Sequence, residues 1–308
     1  MTRTRSVGSL QPWWEIARPF SFTATVVPAL VGASAAWAGH RWHLALLPLC
    51  LLGLILMQAG TNMVNEVFDL AQGVDGPESP RASHVLVDGR LPSRAAHRMG
   101  LALIVGGVAV GGAVSIFGHL GPLPFVCGVI GGLAGWAYTA PPLQCKYRGW
   151  GLPLEALVMG PLLVLGAAFV QAGRVVDTSL AASAPIMLLV AAILIGNDLR
   201  DAEGDRAAGI RTLPAIIGWE ATRALFQAVV LASFLLVVVE VAAGLLPPPA
   251  LLALGGLPLG WCALTAVRGV PPREAARLLA RLDQQAAGVY LLTGLLLCVG
   301  LLAVGLGA

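Results

Sequence analysis

Nine times along this chain, about twenty consecutive residues pass with almost no charge: near positions 19–38, 44–66, 96–117, 121–139, 152–172, 180–199, 221–243, 250–267 and 286–307. Roughly 20 apolar residues is the length an α-helix needs to cross the hydrocarbon core of a bilayer. Within that core every backbone N–H and C=O must be satisfied inside the protein, so segments of this length fold as helices. Charged residues make up only 11% of the 308, against 57% apolar, whereas soluble domains carry roughly 25% charge. The expectation is an all-α membrane protein built as a nine-helix transmembrane bundle. No polar linker divides the chain, so residues 1–308 are expected to form one membrane domain. Pro28 and Pro161 fall inside spanning segments, which is tolerated where neighbouring groups satisfy the freed carbonyls.

The basic residues set the orientation. With the N-terminus in the cytoplasm, 17 of the 19 Lys and Arg lie on the cytoplasmic side, and only Arg41 and Arg174 lie opposite, as the positive-inside bias requires. One missed helix would scramble that count. Arg3 and Arg5 precede the first segment without a small-residue cleavage site, so the start reads as an anchor rather than a cleaved signal. A multi-pass protein of the inner (plasma) membrane is expected, with the bilayer as its surroundings and no nucleic-acid partner. The long connections, about 67–95 and 200–220, are both cytoplasmic, and large loops on a rigid scaffold carry function. The five cysteines are scattered singly and the five histidines form no ligand pattern.

Half of the 16 acids sit in two short runs at the cytoplasmic edge: Glu66, Asp69, Asp75 and Glu78, then Asp198, Asp201, Glu203 and Asp205. Asn62, Asn65, Glu66 and Asp69 stand at i, i+3, i+4 and i+7, and Asp198, Asp201 and Asp205 at i, i+3 and i+7, so each set shares one helical face. Like charges at these spacings destabilise a helix unless something neutralises them. Hard oxygen donors without His or Cys suit Mg²⁺, which commonly uses one or two carboxylates together with substrate phosphates. Arg81, Lys146, Arg148, Arg206 and Arg211 reach the same face and offer forks and point charges to phosphate oxygens. Lys146 and Arg211 follow Pro- or Gly-marked bends beside the acids.

The runs Asn65–Asp69 with Gly73-Val74-Asp75, and Asn197-Asp198-Leu199-Arg200-Asp201-Ala202-Glu203-Gly204-Asp205-Arg206, resemble the two aspartate-rich motifs of the UbiA superfamily of intramembrane prenyltransferases. Further matches are Arg18-Pro19-Phe20-Ser21-Phe22-Thr23, Tyr138-Thr139-Ala140-Pro141-Pro142 with Lys146-Tyr147-Arg148-Gly149, and Arg211-Thr212-Leu213-Pro214. The likeness covers most of residues 15–220 and weakens in the last three helices. Within the superfamily the chain is most similar to the 1,4-dihydroxy-2-naphthoate polyprenyltransferases of menaquinone biosynthesis. It departs from the pattern at Glu66, where many relatives carry Asp, and at Gly73, where some carry an acid whose role would pass to Asp75.

The resemblance implies an active site opening to the cytoplasm and Mg²⁺-dependent transfer of a polyprenyl group from its diphosphate to an aromatic acceptor. The acceptor it implies is 1,4-dihydroxy-2-naphthoate, which loses its carboxyl to give demethylmenaquinone. Asn65, Asp69, Asp75, Asp198, Asp201 and Asp205 would hold the metal. Asp69, Asp75, Asp201, Asp205, Lys146 and Tyr138 would serve catalysis, the last by facing the allylic cation. Asn62, Asn65, Arg81, Arg148, Asn197 and Arg211 would bind substrate, and Arg18 an acceptor carboxylate. The same motifs serve prenylation of 4-hydroxybenzoate or homogentisate and intramembrane terpene cyclases. A transporter is a remote alternative, because its acids belong near the bilayer midplane at broken helices.

Overall fold

The computed structural model describes residues 10–38, 43–76 and 83–306, and among them it contains helices and turns but no strand. A short helix, α1 (Gln11–Ala17), breaks at Arg18, and α2 (Thr23–Ala38) follows one 3-10 turn later. The long rods α3 (Leu47–Ala71), α4 (Ser93–Phe117) and α5 (Leu123–Thr139) come next. A single interrupted rod then comprises α6 (Gly151–Leu157), a π turn at Val158–Leu162 around Pro161, and α7 (Leu163–Ala172). It leads to the longest helix, α8 (Asp177–Ala207). The chain closes through the short α9 (Leu213–Ile217), α10 (Trp219–Ala242), a 3-10 stretch Pro248–Gly256 running into α11 (Leu257–Ala266), the short α12 (Ala275–Leu278) and α13 (Leu282–Leu306).

Among the described residues, eight helical stretches are long and apolar enough to cross a membrane. The expected fourth segment, α5, is apolar but 17 residues long, about 25 Å at 1.5 Å per residue against a core of about 30 Å. Two other boundaries move. α3 runs to Ala71 and α8 to Ala207, beyond the expected ends at 66 and 199. Asn62 to Asp69 and Asn197 to Asp205 therefore lie wholly on helices, and the loops that follow them are shorter than expected.

Small residues set the distance between α3 and α4. A β-carbon on Gly60 would stand 2.5 Å from the carbonyl oxygen of Gly100, and one on Gly107 would stand 2.6 Å from that of Gly53. Backbone thus meets backbone over two turns, the close packing that membrane helices use where no hydrophobic force drives them together. The main core joins α2, α7, α8, α10 and α13 around Ile186, Leu189, Phe226, Tyr290 and Leu297. Pro28 cannot donate to the carbonyl four residues earlier, that of Ala24. The Tyr290 hydroxyl donates to that oxygen at 2.8 Å, so α13 satisfies the gap that proline leaves in α2.

Candidate active site

The first acidic face is stapled to the elbow between α1 and α2. Arg18 adopts a left-handed backbone (φ 52°), a conformation that costs a non-glycine residue roughly 1–2 kcal/mol and persists where surrounding contacts hold it. Asn62 supplies such contacts by donating to the carbonyl of Ala17 at 2.7 Å and to the Ser21 hydroxyl at 2.8 Å. Glu66, only 2% exposed, accepts from Arg18 Nε at 2.8 Å and pairs with its Nη2. Ser83 donates to the same carboxylate through its N–H at 3.1 Å and its hydroxyl at 2.9 Å. Glu66 is therefore committed to protein partners.

Asp69 lies one turn further on, 3% exposed. Lys146 Nζ donates to both its oxygens, at 2.7 and 2.8 Å, and the Tyr147 hydroxyl donates to Oδ1 at 2.8 Å. The 3-10 turn Cys145–Arg148 that follows α5 positions both donors. Burial works against the charge of Lys146, but Asp69 outweighs it and holds the ammonium above the ordinary lysine range. Burial, with the negative charge of Asp69, also pushes the Tyr147 hydroxyl well above its usual value. Asn65 accepts from the Thr139 hydroxyl at 2.8 Å, and Asp75 follows in the loop after α3. Burial raises Asp75 to about 6, Asp69 and Glu66 push the same way, and Arg18 and Lys146 pull back. Its Oδ2 is buried without a hydrogen-bond partner among the described residues.

The second face is held from its own side. Arg200, 5% exposed, clasps the adjacent Asp201 through Nε at 2.7 Å and through Nη2, and its Nη1 reaches Asp283 at the start of α13 at 2.7 Å. Asp198 accepts from the Leu213 N–H at 3.0 Å, and Thr212 lies near enough to Asp205 to act on its carboxylate. The Arg211 N–H donates to the Tyr147 carbonyl at 3.2 Å, joining this loop to the lysine turn. Lys146 is thereby within electrostatic reach of Asp75, Asp198 and Asp205 as well as Asp69. The two acidic faces share one lysine. Arg148 and the Arg211 side chain are exposed and Asn197 is half-buried, while Arg81 lies outside the described residues.

The residues fit a magnesium ion that binds together with a phosphate, not one caged by protein alone. Among the described residues no three carboxylate, His or Cys groups converge on one point. The donors are nonetheless all oxygen, and the orphaned Asp75 Oδ2 is a buried acceptor awaiting a cation. Directly beneath the acids lies a cavity of about 180 Å³ between α3, α4, α5, α6 and α7. It runs along α3 from Asn65 to Cys50, roughly 22 Å at 1.5 Å per residue. Its far end is apolar, lined by Val110, Val114, Cys127 and Val170, and Tyr138 and Glu155 stand at the acid end.

Motif and charge reasoning singles out the acids, Lys146, Tyr138 and Asn65, and the structure brings Asp69, Lys146 and Asn65 to one end of the bundle and Tyr138 to the cavity beside them. Tyr147 and Arg200 lie inside the matched motifs without a role of their own there, and Ser83 and Asp283 carry no local signal. Glu155 did leave one: a lone carboxylate in an apolar span, where ionisable groups are functional by default.

The profile of the UbiA prenyltransferase family matches residues 25–283. The chain is 28% identical over 289 residues to 1,4-dihydroxy-2-naphthoate octaprenyltransferase of Bacillus subtilis, covering 94% of this chain and 91% of that protein. It is 31% identical over 223 residues to the bacteriochlorophyll synthase 33 kDa chain of Cereibacter sphaeroides, covering 70% and 69%. It shares its fold with a UbiA homolog from Archaeoglobus fulgidus bound to GPP and Mg²⁺, with a TM-score of 0.64, 17% identity and coverage of 94% and 99%.

Proposed function

We propose, from the premise that the chain belongs to the UbiA prenyltransferase family, that it prenylates 1,4-dihydroxy-2-naphthoate with a polyprenyl diphosphate. That it is a prenyltransferase and a multi-pass membrane protein follows from the family and from its apolar helices. The acceptor is the finer step, and it rests on the Bacillus subtilis relative, which spans nearly the whole chain. The observation that carries the reading is two acidic faces sharing Lys146 above an apolar cavity. This arrangement suits a substrate with a polyanionic head and an isoprenoid tail.

In this reading Asn65, Asp69, Asp75, Asp198, Asp201 and Asp205 hold Mg²⁺, which when bound neutralises the diphosphate leaving group. Lys146 adds a fixed positive charge where negative charge develops as the allylic C–O bond breaks, and Arg211 and Arg148 contact the phosphate oxygens from the rim. The tail lies in the cavity along α3, and the Tyr138 ring faces the allylic carbon, whose developing charge an aromatic face stabilises. Arg18 sits beside Glu66 at the elbow and binds the acceptor carboxylate. We place nine spans in the inner membrane, α5 being the short one, with the N-terminus and the acid clusters on the cytoplasmic side, all in one domain.

Purified protein given geranyl diphosphate, Mg²⁺ and a panel of aromatic acceptors is expected to release diphosphate and prenylate the dihydroxynaphthoate most rapidly. Asp69→Ala and Asp201→Ala should each lower turnover about 100-fold or more. Unchanged turnover in either removes that residue from the site. A different preferred acceptor overturns the substrate assignment alone.

A further inference from the structure

The lining of the cavity is uneven. Gly, Val, Leu, Met and Cys cover most of it, but the end beside the acids gathers Gln58, Thr61, Asn62, Asn65, Tyr138 and Glu155. An isoprenoid tail makes no use of these groups, and a carboxylate facing only a tail would be desolvated without return. Glu155 is the one acid of that lining. It lines that end together with Tyr138, near enough for the two groups to act on one another, and lies within electrostatic reach of Lys146. It stands on α6 three residues before the π turn Val158–Leu162, and such turns recur at functional sites. A polar ring with hydroxyl groups is the occupant this end matches, next to where a donor's reacting carbon would enter.

We propose that Glu155 is the general base that takes the hydroxyl proton of the aromatic acceptor, with Tyr138 positioning its carboxylate. This rests on the aromatic-acceptor reading above and deepens it. The acceptor O–H bond breaks and its proton passes to Glu155. The released electron pair, delocalised into the ring, forms the new C–C bond to the allylic carbon. That carbon's bond to the diphosphate oxygen breaks, and its electron pair leaves with the diphosphate. The ring carbon then gives its own proton to the departing diphosphate, or loses carbon dioxide where it carries a carboxylate; either loss restores the aromatic phenolate, and Glu155 returns its proton to that oxygen.

The test is Glu155→Gln in the full-length enzyme, assayed with geranyl diphosphate, Mg²⁺ and a series of dihydroxynaphthoates whose ring substituents grade the acidity of the hydroxyl. The expected result is a loss of about 100-fold or more with the parent acceptor and recovery of most of the rate with the most acidic one, which needs no base. A fall that is equal across the series assigns Glu155 a structural role and overturns the proposal, as does an unchanged rate. Should Glu155→Gln fail to fold, Glu155→Asp keeps a carboxylate, one methylene further away. It is expected to depend on acceptor acidity more steeply than wild type, and an equal dependence overturns the proposal. Absence of any prenylated ring from the wild type would instead overturn the acceptor reading itself.

Discussion

The two acidic faces carry similar residues at similar spacings, yet they are neutralised in different ways. On α3, the cations come from far away in sequence: Arg18 reaches Glu66 across 48 residues and Lys146 reaches Asp69 across 77. On α8, Asp201 is clasped by its immediate neighbour Arg200, and the distant contribution, Asp283, acts on that arginine instead. The first face is assembled by the fold. The second is largely assembled by its own helix and then fastened to α13. Among the described residues Lys146 is the cation that both share, since it bonds Asp69 and acts by charge on Asp198 and Asp205.

Lys146→Met is therefore expected to have the largest effect. Among the described residues it leaves buried Asp69 the Tyr147 hydroxyl as its side-chain donor, at a cost of about 3 kcal/mol. It also removes positive charge from both faces, so turnover should fall about 100-fold or more. Thermal unfolding and diphosphate release measured on the same preparation check this. Stability and turnover that both match wild type would show that the faces do not share the lysine.

Asp283→Asn acts on the second face alone. Arg200 then rests its whole charge on Asp201 and competes harder with any cation there. The expected outcome is about a tenfold rise in the Mg²⁺ concentration giving half-maximal diphosphate release, with maximal turnover largely kept. An unchanged Mg²⁺ dependence would separate α13 from the site.

Glu15→Gln should have the smallest effect, and it touches only the elbow that serves the first face. Glu15 pairs with Arg90 at 2.5 Å, and that hydrogen-bonded guanidinium holds its carboxyl below the usual range. A carboxyl lowered in the folded state adds stability above its unfolded value, and the gain disappears as pH falls through the folded value. The variant should lose less than about 1 kcal/mol at pH 7, as exposed pairs do, and nothing once Glu15 is protonated in both forms. Denaturation at two pH values reads this, and an equal loss at both would refute it.

The positions of the acidic faces were legible because they follow from local spacing. Asn62, Asn65 and Asp69 mark one side of any helix, and four carboxylates at the edge of an apolar run stand out against a charge-poor chain. Repulsion between them calls for a neutralising charge, and a bound diphosphate with its metal is the source the sequence suggests. The protein supplies much of that charge itself through Arg18, Lys146 and Arg200. Arg200 shows why this was hidden. By sequence it is one of the basic residues on the cytoplasmic side, but it is buried against α13. Tyr290 is similar: Pro28 announced a freed carbonyl, but nothing in the sequence named the hydroxyl, 266 residues away from Ala24, that satisfies it.

By itself the sequence determined that this chain is a bundle of apolar helices, where its acids lie, and that each acidic set occupies one helical face. Those properties depend on hydropathy and on the 3.6-residue turn, which act over a few residues at a time. Only the tertiary structure decided that Lys146 stands between the two faces, that Glu66 is consumed by Arg18 and Ser83, and that Glu155 meets Tyr138 at the polar end of the cavity. Those pairings are choices among many cations and hydroxyls of equal chemical merit. What selects one is the packing of glycine-lined helices, which brings distant segments within hydrogen-bonding distance.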